Sequence, residues 1–242
     1  MNFRKRHFAF VLAVLSLGLG ACASSPRIEI ALKRAHLTSQ QAYYVPAGQF
    51  KTVEFAPPPA PESEAQRQDL AAILAWQNKR SGADCAKAAL TAKFNYDFFW
   101  GDKSPFPRPL PEEVNKFFDR VATDLDTATN DMKGRYQRPR PFKMYPDQAR
   151  PCIHKSSGYS YPSGHATFSR VFADVLGDIV PERKAGFLAK ADEVALDRVI
   201  GGVHYPSDIE AGKAFGDLYH ADLLKSEAYR KDVEKMKALL VK

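Results

Sequence analysis

The sequence predicts an all-α, single-domain bundle of six or seven helices, and three observations lead there. Apolar residues recur at three- and four-residue spacings in one segment after another, which is the signature of a helix with one buried face. No stretch alternates with period two over the length of a strand, and the breaks between periodic segments fall at Pro, Gly and Ser clusters. The 242 residues, 45% of them hydrophobic, are enough to bury a core without disulfide staples, and no solenoid, propeller or coiled-coil period is present.

The elements follow in order. Residues 1–21 hold Arg4, Lys5 and Arg6 and then an apolar run from Phe8 to Ala21 with no acid, which reads as a signal peptide. Fourteen apolar-run residues reach about 21 Å, short of a hydrocarbon core of about 30 Å, so the segment is a signal and not an anchor. Leu19-Gly20-Ala21-Cys22 is similar to a bacterial lipobox, which would leave Cys22 as the lipidated first residue; cleavage after Ala23 fits the same stretch. Either outcome exports the chain, and the expected location is the periplasm, with membrane attachment only through an N-terminal lipid.

Residues 22–62 form an extended lead-in ending in Pro57-Pro58-Pro59-Ala60-Pro61, and residues 63–242 form the domain. Ser63 with Gln66 makes a capping box for a helix through Leu70, Ile73 and Leu74 that stops near Ser81-Gly82. A short helix covers about 84–94. Pro111 starts the next, whose stripe is Val114, Phe117, Phe118, Val121, Leu125 and Ala128. Four more run over 163–179, 182–199, 207–224 and 227–240.

Charge and cysteine content narrow the function classes. The formal net charge is +7; removing residues 1–21 leaves 32 Lys+Arg against 28 Asp+Glu, or +4. These charges are interspersed with no basic stripe, which argues against a nucleic-acid partner. Cys85 and Cys152 remain once Cys22 is assigned to the signal, either as a disulfide in an oxidising compartment or as two buried thiols. No Cys-x-x-Cys or His/Cys cluster points to a metal.

Three clusters carry chemistry. Lys133 lies seven residues before Arg140-Pro141; alone it is no more than a basic helix end and a turn, since Arg-Pro occurs four times, at 108, 138, 140 and 150. Pro162-Ser163-Gly164-His165 opens an apolar-periodic helix, where Ser163 caps and free amides make an anion seat, or where a capped helix merely carries a surface histidine. Arg198, His204 and Asp208 sit where one helix ends at Gly201-Gly202 and another begins. An Asp four residues after a His can hold the ring proton on Nδ1 and leave Nε2 free; a plain surface hydrogen bond has the same spacing.

In this order and at these spacings the clusters resemble the signature of the type 2 phosphatidic acid phosphatase superfamily, which also includes vanadium haloperoxidases. From about 57 to 240 the chain is similar to class A bacterial non-specific acid phosphatases, with Phe142 after Arg140-Pro141 and with Gly158 and Tyr161 before the Pro-Ser-Gly-His. The resemblance implies an exported phosphomonoesterase of broad range that needs no metal or cofactor, acts on small phosphate monoesters and forms homo-oligomers. It departs at Asp197, where the family usually has Ser.

Residue chemistry gives each position a role within that resemblance. Lys133, Arg140 and Arg198 supply three positive charges for a phosphoryl dianion, and the Ser163 hydroxyl and Gly164 amide add donors. His204 attacks phosphorus, Asp208 orients it, and His165 serves the leaving group. Asp197 points about 100° away from Arg198 on a helix and need not face the ligand. Phe98, Phe99, Trp100 and Tyr159 are candidates for the leaving-group wall, although a helical core accounts for buried aromatics equally. A vanadate-dependent haloperoxidase and a non-catalytic phosphate-binding envelope lipoprotein are the competing functions.

Overall fold

The structure, a computed structural model, describes residues 42–93 and 96–240. Residues 1–21, read above as a signal peptide, and Cys22 lie outside them. Among the described residues there is no strand, and seven helices of nine residues or more carry the fold: α1 (Glu64–Lys79), α2 (Gly82–Leu90), α3 (Glu112–Tyr136), α4 (Gly164–Ile179), α5 (Lys184–Ile200), α6 (Pro206–Leu223) and α7 (Glu227–Leu240). Short helical turns at Tyr96–Trp100 and Pro141–Met144 complete the α-helical content.

The α4 helix is the axis of the described bundle. Val171, Ala173, Val175 and Leu176 are fully buried along it, and α5, α6, α3 and α7 pack around it. A helix apolar on nearly every side belongs at the centre of a bundle. The α3 stripe read from the sequence is buried throughout, from Val114 to Ala128, and continues to Met132. Tyr44, Val45 and Phe50, ahead of the proline run, join the same core, and the Asp124 carboxylate accepts from the backbone N–H groups of Tyr43, Tyr44 and Val45.

Two helix starts differ from expectation. Ser63 caps α1, accepting from Gln66 N at 3.1 Å, but the return bond of a capping box is not made. Gln66 is buried instead, its Oε1 accepting from Arg138 Nη2 at 2.5 Å. The complete box lies at α2, where Ser81 Oγ accepts from Asp84 N and Asp84 Oδ2 accepts from Ser81 N. Ser81-Gly82 therefore opens α2 as well as following α1, and this helix spans Gly82–Leu90 and not 84–94. The remaining boundaries fall within two residues of the sequence pattern, with Pro181–Arg183 forming a 3-10 turn ahead of α5.

Two close approaches set the site. A Cβ on Gly212 of α6 would stand 2.7 Å from both the Ala166 Cβ and the Ser163 carbonyl oxygen, and one on Gly216 would stand 2.9 Å from the Arg170 side chain. The bare strip lets the starts of α4 and α6 meet. Gly202, with φ +77°, makes the turn between α5 and α6 in a backbone region that disfavours side chains. Cys85 and Cys152 are joined as a disulfide, S–S 2.07 Å, linking α2 to the loop whose Cys152 N–H bonds the Gly201 carbonyl.

Candidate active site

The α5–α6 turn brings Arg198 and His204 together. The N–H groups of Val203 and His204 both donate to the Arg198 carbonyl, folding the chain back on itself. Asp208, in the first turn of α6, accepts at Oδ2 from Tyr205 N (2.9 Å), His204 Nδ1 (3.2 Å) and Ser160 Oγ (2.5 Å). Its Oδ1 takes Arg138 Nη1 at 2.6 Å. Burial alone would raise this carboxyl; the His204, Arg138 and Ser160 interactions outweigh it and bring the value down to about 2.

The other ring nitrogen of His204 faces a cation. Arg140 Nη1 lies 3.0 Å from Nε2 and donates to it, so the ring proton sits on Nδ1, toward Asp208. Burial, with Arg140 second, lowers the His204 pKa to about 3, and the ring is neutral across the ordinary pH range. The Arg140 guanidinium is fixed by the Gly158 and Val203 carbonyls, both at 2.9 Å. Lys133, on the last turn of α3, reaches the carbonyls of Tyr159 (2.9 Å) and Pro162 (2.6 Å). Burial, and then Arg140, lowers its pKa to about 7.

Arg198 completes the cationic side. Its Nη2 donates to the Ala88 carbonyl and, at 3.1 Å, to Thr91 Oγ1, while its Nε is buried with no hydrogen-bond partner. Asp197 turns away and accepts from the same Thr91 hydroxyl at 2.8 Å, so it touches the cation only through Thr91 and through its field. Burial first lowers Arg198 and Arg140 to about 10, leaving both charged.

At the start of α4, Ser163 Oγ accepts from Ala166 N, and Ser163 N donates to the Asp208 carbonyl at 2.9 Å, pinning α4 to α6. Gly164 follows as the first helical residue. His165 donates from Nε2 to the Ala92 carbonyl at 3.1 Å, and its ring centroid is 6.2 Å from that of Phe99. Burial and then Arg198, with smaller contributions from His204 and Arg140, push its pKa well below the usual histidine range. Arg140 is thus the hub of the cluster, acting on Lys133, Arg198, His204 and His165, while His204 also feels Lys133 and His165 also feels Arg198.

Several participants lacked a sequence signal of their own. Arg138 appeared only as one of four Arg-Pro pairs, yet it is buried and bonds Asp208, Asp69, Gln66 and Ser207, with Tyr205 against its face at 4.1 Å. Ser160 and Thr91 are small hydroxyls that only the fold places beside Asp208 and Arg198. Trp100 is fully buried with its edge against Phe187, so it belongs to the core and not to a substrate wall. Tyr159 is exposed, and nothing is described of the Phe98 side chain. His220 pairs with Asp178 at 2.8 Å, remote from these groups in the fold. Among the described residues, no three His, Cys, Asp or Glu side chains converge as a metal site, and no helix is long and apolar enough to cross a membrane.

A model of the PAP2 superfamily matches residues 121–227, a stretch that holds every site residue from Lys133 to Asp208. A non-specific acid phosphatase of Salmonella typhimurium is 29% identical over 192 residues, covering 75% of this chain and 76% of its own. One from Providencia stuartii is 30% identical over 161 residues, 64% of this chain and 62% of its own. Among solved structures, a bacterial vanadium-dependent iodoperoxidase shares the fold with a TM-score of 0.57 at 20% identity, covering 74% of this chain and about half, 53%, of its own.

Proposed function

We propose that this chain, whose residues 121–227 belong to the PAP2 superfamily, is an exported acid phosphatase that hydrolyses a broad range of phosphate monoesters through a phosphohistidine. The observation that carries the reading is His204: Asp208 holds its ring proton on Nδ1, and its Nε2 faces Arg140. The similarity to acid phosphatases over most of the chain supports the reaction class.

The steps follow from the charges. A phosphoryl dianion draws the Arg140 fork off Nε2 and onto its own oxygens, beside Lys133 and the unpartnered Arg198 Nε, with the α4 amides and the Ser163 hydroxyl at its edge. Nε2 then attacks phosphorus in line; the N–P bond forms as the ester P–O bond breaks. Asp208 steadies the charge that develops on the imidazole, as a buried carboxylate does for a triad histidine. The phosphoryl dianion, or the proton of a monoanionic ester, charges the otherwise neutral His165 on binding; the imidazolium gives that proton to the leaving alkoxide and the ring later takes one from the water that cleaves the N–P bond. Export is supported by the N-terminal pattern and by the Cys85–Cys152 disulfide, a bond kept in oxidising compartments. Lipidation at Cys22 is part of the same proposal.

The test is chemical. The protein is mixed with a 32P-labelled monoester, quenched in alkali, and digested; the label is expected on the peptide carrying His204, and its recovery on serine or aspartate would reassign the nucleophile. Hydrolysis of the same ester should survive EDTA and be blocked by vanadate.

A further inference from the structure

The end of α2 meets two groups of the site at once. Of the nine residues of this helix only Ala88 is buried, and the helix is held in place by the Cys85–Cys152 disulfide and by packing on α5. The last carbonyls of a helix have no partner in its own ladder and carry its negative end, so they receive cations and N–H donors. Ala88 O takes Arg198 Nη2, and Ala92 O, just past the helix, takes His165 Nε2 at 3.1 Å.

Thr91 lies between these two carbonyls and is buried. Its Oγ1 accepts from Arg198 Nη2 at 3.1 Å and has one proton to give. Two acceptors compete for that proton, the Asp197 carboxylate at 2.8 Å and the Ala88 carbonyl at 3.3 Å. The nearer, charged acceptor takes it. The donors therefore run in one direction, from guanidinium to hydroxyl to buried carboxylate, and a hydroxyl that donates to a carboxylate accepts more strongly. Arg198 Nη2 is thus engaged twice, whereas its buried Nε–H has no partner among the described residues.

We propose that Thr91 is a positioning residue for the hydrolysis: its hydroxyl, bound to Asp197, holds Arg198 by Nη2 so that Nε meets the phosphoryl group in a fixed direction. The proposal rests on the phosphatase reading above, in which Arg198 binds phosphate. By comparison with the groups that orient metal ligands, such support is worth about ten- to a hundred-fold.

Vanadate inhibition and p-nitrophenyl phosphate hydrolysis test it. Thr91→Val, of nearly the same shape without the hydroxyl, should weaken vanadate inhibition about ten-fold or more and lower kcat/KM by a similar factor, in protein that circular dichroism shows to be folded. Thr91→Ser keeps the hydroxyl and should stay within about three-fold of the parent on both readouts. In an Arg198→Met background Thr91→Val should change nothing further, because the residue it acts through is gone. Thr91→Val leaves the Asp197 carboxylate buried without its Thr91 donor. Should that prevent folding, Thr91→Val/Asp197→Ser is compared with Asp197→Ser, and the same loss is expected. Unchanged vanadate inhibition and kcat/KM in the Thr91→Val comparison, equal losses in Thr91→Ser and Thr91→Val, or an additive loss with Arg198→Met overturns the role of Thr91 and leaves the phosphatase reading standing. A parent protein that neither hydrolyses the ester nor binds vanadate in calorimetry overturns the phosphatase reading and this proposal with it.

Discussion

The two histidines sit in walls of opposite construction. His204 is held by Asp208, which is in turn held by Ser160, Arg138 and the Tyr205 N–H, and Arg138 passes the connection on to Asp69 and Gln66 of α1. His165 has the Ala92 carbonyl and a phenylalanine beside it. In the proposed mechanism His204 must aim a lone pair at phosphorus, and a saturated polar frame suits that task because a small misplacement of a reacting atom is costly. His165, proposed to serve the leaving group, is acted on by the charge of Arg198 and stands near the Phe99 ring, so its surroundings are mixed where those of His204 are polar.

The largest expected effect tests the contrast directly. His204→Ala should remove essentially all turnover, about 10⁴-fold or more, together with the phosphoenzyme label. His165→Ala should instead lose about 10²- to 10⁴-fold with glycerol 2-phosphate, much less with p-nitrophenyl phosphate, and should keep the label. Equal losses for both esters in His165→Ala would erase the distinction between the walls.

Next comes the frame. Arg138→Met leaves Asp69 and Asp208 buried without their cation, and should cost about 3–5 kcal/mol in urea unfolding. If the variant unfolds at the same midpoint as the parent, the frame contributes nothing. A gentler probe is pH. Among free-enzyme groups, His204 near pH 3 must be neutral to attack, and Lys133 near pH 7 must be charged to hold phosphate. As pH falls through about 3, kcat/KM drops because Nε2 is protonated; as pH rises through about 7, it drops because Lys133 loses its proton. An acid optimum follows, and Lys133→Arg should extend the alkaline limb of a full kcat/KM profile. A limb unmoved by that change would remove Lys133 from phosphate binding.

Helices with an apolar stripe were legible because burial acts on side chains at a fixed period, as Val114 to Ala128 show. Ser163 was legible because a cap is a local bond. The support around the site was not, since much of it comes from backbone: Ala88, Ala92, Gly158 and Pro162 contribute carbonyls that any residue carries. Gln66 shows the opposite failure. Its spacing from Ser63 matched a capping box, but the desolvated Arg138 offered a stronger partner than a helix-end N–H that water also satisfies. Ser81-Gly82 was ambiguous because the same dipeptide suits a helix exit and a helix entry.

The strip of α6 at Gly212 and Gly216 has one more outcome. With hydrogen atoms in place of side chains there, the Ser163 corner and the Asp208 corner are neighbours in contact, tied by the Ser163 N–H to the Asp208 carbonyl. The proposed anion seat and the support of the imidazole thus share one packed corner, so a change in the spacing of α4 and α6 there would be felt by both. A single methyl at position 212 would act as a wedge, decalibrating both halves of the reaction at once.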